Sequence, residues 1–180
     1  MFMGLVGSEM CIRDRTRIGP LDINANFSII DSRWGKDSIR QNDPEFEGYF
    51  DEGVRRNDVP QSTGNISFAY SIPGYFGKSK KGGSFVVDVN YIGKKKGRDW
   101  LLYYDGFYNP EIPAISYYSK DVIKMYDPFT SLRLRLNYWL TNKVSTFVDI
   151  RNLTNHSDIS RSITEPALGR QITVGVDFEL

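Results

Sequence analysis

The last ten residues read QITVGVDFEL, and every second side chain among them is apolar: Ile172, Val174, Val176, Phe178 and Leu180. Between them stand Gln171, Thr173, Gly175, Asp177 and Glu179. A strand sends successive side chains to opposite faces, so this spelling predicts a strand with one apolar and one polar face. The same period recurs upstream. Leu21, Ile23, Ala25, Phe27 and Ile29 alternate with Asp22, Asn24, Asn26 and Ser28. Ile66, Phe68, Tyr70 and Ile72 alternate with Asn65, Ser67, Ala69 and Ser71. Phe85, Val87, Val89 and Tyr91 form a third stripe, and Leu132, Leu134, Leu136 and Tyr138 a fourth. Val144, Thr146, Val148 and Ile150 form a fifth. No segment shows helical periodicity. The expected fold class is all-β, an antiparallel up-and-down meander of about six long strands.

Period two does not say which face meets what. In a soluble sandwich or barrel the apolar face meets a core. In a membrane barrel it meets lipid, and the polar face lines the lumen. The connections add a second signal. Long gaps lie at roughly 31–63, 94–129 and 155–170, and short ones at 73–83 and 141–143. Strict alternation puts the long loops at one end of the meander. Compact soluble domains favour connections of about 4–6 residues, whereas outer-membrane barrels pair short turns with long outer loops. Each candidate strand is about 9–11 residues, enough to cross a bilayer when tilted. Trp34, Tyr70, Tyr91, Trp100, Tyr138 and Trp139 fall near strand ends, where interfacial aromatics sit.

Composition narrows the function classes. The chain of 180 residues carries a net charge of +1, without the basic excess of a general nucleic-acid binder. One cysteine, Cys11, and one histidine, His156, leave no disulfide and no His/Cys metal cluster to build. No nucleophile elbow, phosphate loop or dinucleotide fingerprint occurs. The expectation is no enzyme, no cofactor and no metal site. The acidic stretch 42–53 places Asp43, Glu45 and Glu47 before Gly48, but Val54 stands where a calcium loop needs glutamate. It reads as a solvated loop.

The start, MFMGLVGSEMCIRDR (1–15), has neither period, and Gly4 and Gly7 interrupt its apolar stretch. It is not a signal peptide. GLVGSEMCIRDR resembles translated sequencing-adapter read-through, so residues 1–15 are expected to be a non-native or disordered leader outside the fold.

VSTFVDIRNLTN (144–155), followed by GRQITVGVDFEL (169–180), resembles the C-terminal end of a TonB-dependent outer-membrane receptor. The penultimate strand runs into an Asn-Leu-x-Asn motif, then a loop, then a strand led by Gly-Arg. GPLDINANFSIIDSR (19–33) and VPQSTGNISFAYSI (59–72) also look like strands of this family. The resemblance covers residues 16–180 as the C-terminal part of the barrel, with the plug domain and earlier strands missing. It implies a curved open segment of a transmembrane β-barrel in the outer membrane of a Gram-negative bacterium. The implied partners are outer-membrane lipid and lipopolysaccharide, a TonB-type energy-transducing protein and the barrel-assembly machinery, with no nucleic acid. The implied function of the parent is uptake of a scarce large nutrient: a siderophore, cobalamin or a glycan. The stripe Ile172, Val174, Val176, Phe178 and Leu180 resembles the assembly signal of such barrels, which usually ends in an aromatic residue. The alternative is a soluble antiparallel barrel or sandwich that binds a small ligand or a sugar. A six-stranded open sheet leaves two unpaired edges, so the polypeptide alone is expected to fold poorly.

The candidate ligand contacts lie in WLLYYDGFYNPEIPAISYY (100–118). Trp100, Tyr103, Tyr104, Phe107, Tyr108, Tyr117 and Tyr118 offer faces for a sugar ring or flat chelate, or else pack on one another. Lys94, Lys95, Lys96 and Arg98 read as a solvated loop base, with lipopolysaccharide phosphates as the other candidate. Lys78, Lys80 and Lys81 fall in a short turn. Arg133, Arg135, Asp149, Arg151, Asp177 and Glu179 are expected to pair across the polar face, and His156 to be polar surface.

Overall fold

A computed structural model describes residues 5–36, 44, 51–74, 81–109, 111, 120–156 and 169–179, with backbone only at 5–8, 106–107 and 120. The elements in chain order are β1 (Leu5–Ile18), β2 (Leu21–Trp34), β3 (Ser62–Ile72), β4 (Gly83–Ile92), β5 (Lys95–Arg98), α1 (Trp100–Tyr108), β6 (Ile123–Tyr126), β7 (Phe129–Trp139), β8 (Val144–Arg151) and β9 (Gln171–Phe178). Seven strands form one sheet in the order β1-β2-β3-β4-β7-β8-β9. Every neighbouring pair is antiparallel. The sheet is an open up-and-down meander, the expected architecture with one strand more than the periodicity showed. Strands β5 and β6 form a separate two-stranded sheet inserted between β4 and β7.

The extra strand comes from the segment read as a leader. Residues expected to lie outside the fold as far as residue 15 pair with β2 from Leu5↔Trp34 to Ile18↔Leu21. A two-residue turn, Gly19-Pro20, closes this hairpin. Gly19 sits at φ 58°, a conformation glycine adopts without the Cβ penalty.

The register sorts the two faces. One transverse row reads Ile18, Leu21, Tyr70, Phe85, Leu136, Val148 and Val174, apolar on all seven strands. The row one residue along, on the opposite face, reads Arg17, Asp22, Ala69, Val86, Arg135, Asp149 and Thr173. A further apolar row joins Ile23, Phe68, Val87, Leu134, Ile150 and Ile172.

No second layer lies over the apolar face among the described residues. Their only fully buried apolar side chains are Val122 and Tyr126, both outside the main sheet. On the sheet, Phe68, Tyr70, Phe85, Leu136, Ile172 and Val174 are exposed. The deeply buried sheet side chains are polar: Ser145 and Asp149.

The polar face is cross-linked. Arg133 grips Asp149 with a two-point fork, Nε to Oδ1 at 2.8 Å and Nη2 to Oδ2 at 2.6 Å. Arg151 Nε donates to the same carboxylate at 3.3 Å. Asn65 Nδ2 donates to Asn90 Oδ1 at 2.8 Å. Phe147, the aromatic residue of this face on β8, lies over Gly175 on β9, and a Cβ there would overlap its ring.

All long connections, 35–61, 93–128 and 152–170, leave one end of the sheet, and 19–20, 73–82 and 140–143 turn at the other. Trp34 ends β2 at the long-loop end and Trp139 ends β7 at the short-turn end.

Asp149→Ala should destabilise the sheet by about 2 kcal/mol, because it strands a half-buried guanidinium. Removing Arg133 as well should recover part of that loss. A double-mutant cycle on urea-unfolding midpoints in detergent checks both.

Candidate functional site

The insertion between β4 and β7 carries most of the residues singled out as ligand contacts. Strands β5 and β6 pair from Lys95↔Tyr126 to Arg98↔Ile123. The chain at 58–61 runs along β5, with Asp58 N donating to Lys96 O at 2.6 Å and Gln61 N to Lys94 O at 2.9 Å. Val122 is 0% exposed and Tyr126 2%, so this small unit has the apolar core that the large sheet lacks. The Tyr126 hydroxyl donates to the Arg98 carbonyl at 2.6 Å.

Asp99 starts α1. Its Oδ1 accepts from Leu101 N at 3.2 Å and Leu102 N at 3.3 Å, satisfying helix-end donors that otherwise lack partners. Lys124 Nζ lies 3.5 Å from its other oxygen. The helix corrects the expectation of a loop over residues 100–108. The sequence hid it because WLLYYDGFY is apolar nearly all round and includes Gly106. The legible signal was the aspartate one residue ahead of the run.

Helical spacing turns the aromatic run into a ladder. Trp100 and Tyr104 stack with centroids 5.9 Å apart, and Tyr104 and Tyr108 stack at 5.9 Å. Tyr103 meets Trp100 edge-on at 6.0 Å and Tyr104 at 5.6 Å. The Arg98 guanidinium lies 5.2 Å from the Trp100 centroid and 5.9 Å from that of Tyr103. Trp100, Tyr103 and Tyr104 are half-buried, while Tyr108 is 74% exposed. Leu101 and Leu102 are exposed too. Four of the seven candidates thus meet on one helix. The Phe107 side chain, Tyr117 and Tyr118 lie outside the described residues. The rings pack on one another.

The basic cluster is not the solvated loop base expected. Lys95 and Arg98 are buried, and Lys94 alone of the four is exposed. Burial strips water from the Lys96 ammonium and holds its pKa below the ordinary lysine value, against the attraction of Asp51. At the short-turn end Lys81 pairs with Glu179 and stands 4.0 Å from the Trp139 centroid; Lys78 and Lys80 lie outside the described residues.

On β9, Ile172 is 63% exposed, Val174 67%, Val176 52% and Phe178 73%; Leu180 lies outside the described residues. His156, expected as polar surface, is half-buried and stacked on Phe129 at 5.2 Å. Most of the acidic stretch 42–53 is likewise outside the description. Among the described residues no group of three or more His, Cys, Asp or Glu is placed to hold a metal. A hollow of about 260 Å³ opens on the apolar face, where Ile12, Ala25, Phe27, Ile66, Val89 and Tyr91 surround Gly64.

Comparison with known proteins returns no match: no family model, no curated protein and no solved structure resembles the chain significantly.

Asp99→Ala should cost the insertion about 1 kcal/mol through loss of the cap, and amide exchange across α1 should accelerate while β7 and β8 keep their protection. Lys96→Met should act oppositely. Folding lowers the Lys96 pKa, so the charged form is disfavoured in the native state and a neutral side chain removes that cost. Slower exchange across β5 and β6 checks it.

Proposed function

We propose that this chain is part of the barrel of an outer-membrane receptor of the TonB-dependent kind, whose parent takes up a scarce large nutrient. The observation that carries the reading is the apolar face that runs across six strands, β2–β4 and β7–β9, with no layer over it among the described residues. In water such a face is unfavourable by about 25 cal/mol per Å²; against hydrocarbon it costs nothing. The opposite face, with its Arg133–Asp149–Arg151 network, suits a wet lumen. Long connections at one end and short turns at the other fit the outer and periplasmic sides of such a barrel. Trp34 and Trp139, at opposite ends, fall where interfacial rings belong. The motif pair at 144–155 and 169–180, which resembles the C-terminal end of that family, supports the same reading. A soluble sandwich would bring a second sheet over Leu136 and Val148.

On this reading the two edges of the sheet need further strands, since hydrocarbon leaves no water for unpaired backbone groups. The aromatic helix α1 stands at the outer end as the ligand-facing element. Transport of this kind calls for binding and gating, with no covalent step.

Replacing an apolar-face residue by a charge tests the assignment. Val174→Arg should reduce recovery of the chain in lipid vesicles by a factor equivalent to about 2–4 kcal/mol. Thr173→Arg, its neighbour on the polar face, should leave recovery near wild type. Equal losses, or a larger loss for Thr173→Arg, would remove the membrane reading.

A further inference from the structure

The segment Arg151–His156 is held by more local hydrogen bonds than a loop base requires. Asn152 sits at φ 51° and Asn155 at φ 54°, both in the left-handed region that asparagine tolerates better than most residues. The Asn152 carboxamide takes both backbone groups of His156: Nδ2 donates to its carbonyl at 2.7 Å, and Oδ1 accepts from its N–H at 3.1 Å. The same Oδ1 accepts from the Thr154 hydroxyl at 3.1 Å. Asn155 N closes the turn on the Asn152 carbonyl at 2.9 Å.

This turn is fastened on both sides. Toward β7, Leu153 N donates to Leu132 O at 2.8 Å, and the His156 ring stacks on Phe129. Toward β9, Asn155 Oδ1 accepts from Arg170 N at 2.8 Å, fifteen residues further along the chain. Gly169 makes room for that bond, because a Cβ there would stand 2.8 Å from the same oxygen. The two ends of the β8–β9 connection are thus joined directly, whatever lies between.

We propose that Asn152 and Asn155, with Gly169, form a clasp that fixes the register of the last hairpin independently of residues 157–168. The connection is then a cassette whose sequence can change without moving β9. Register matters here because a slip of one residue would carry Ile172, Val174 and Val176 to the polar face. Four residues in two short motifs, Asn-Leu-Thr-Asn and Gly-Arg, do work usually left to a tight turn, and they do it across a long connection. The clasp depends on hydrogen bonds alone, so it holds whether or not the sheet lies in a membrane.

The test uses the full chain with Cys11→Ser and residues 157–168 replaced by a flexible Gly/Ser segment of equal length. Val148→Cys with Val174→Cys reports the native register; Val148→Cys with Thr173→Cys reports the slipped one. With the clasp intact, only the native pair should cross-link. Asn155→Ala and Gly169→Ala should each allow cross-linking of the slipped pair and speed exchange of the Arg170 amide. Asn155→Asp keeps the acceptor and should restore native-only cross-linking, which separates loss of the clasp from general misfolding. Native-only cross-linking in Asn155→Ala, or slippage with the clasp intact, would overturn the proposal.

Discussion

A sheet whose apolar rows run unbroken across strands β2–β4 and β7–β9 cannot keep both faces in water at low cost. Among the described residues, the row from Leu21 through Tyr70, Phe85, Leu136 and Val148 to Val174 has no second layer over it. Such a face needs an apolar medium or an apolar layer, and none of the described residues supplies the layer. The other face carries the opposite constraint. Asp149 is only 7% exposed and is held between two guanidiniums, those of Arg133 and Arg151. Burial by hydrocarbon on that side would leave the charged side chains of Asp22, Asp88 and Arg135 without water to solvate them.

The long-loop end is organised differently. There a small unit with its own core, Val122 and Tyr126, stands on the tips of the strands. Its two strands are four residues each, too short to stand unaided, and they draw on the 58–61 segment and on the Asp99 cap. The aromatic ladder of α1 is mounted on this unit and not on the sheet. Changes in the helix can therefore alter the long-loop end while the apolar rows of the sheet stay fixed.

The large sheet was legible because alternation is a local signal and most of its strands carry it cleanly. β1 was not, because Asp14 and Thr16 break its apolar stripe and its place depends on pairing with β2 through Gly19-Pro20. The insertion was hidden for two reasons. Four-residue strands carry too little pattern, and a helix apolar on every side shows no moment to read. That put Lys95 and Arg98 in solvent on paper and in the interior in fact. The motif Asn-Leu-Thr-Asn was visible as letters, but the bond from Asn155 to Arg170 joins positions whose sequence separation gives no hint of contact.

Site-directed spin labelling along β9 reports directly which face of the sheet meets lipid. Single cysteines would be placed at each position from Gln171 to Asp177 in a Cys11→Ser chain reconstituted into lipid bilayers. The expected result is a period of two: labels at Ile172, Val174 and Val176 relaxed by oxygen dissolved in lipid, and labels at Gln171, Thr173 and Asp177 by an aqueous nickel chelate. Labels at Ile172, Val174 and Val176 shielded from both reagents would mean that protein covers this face, and the account would fail.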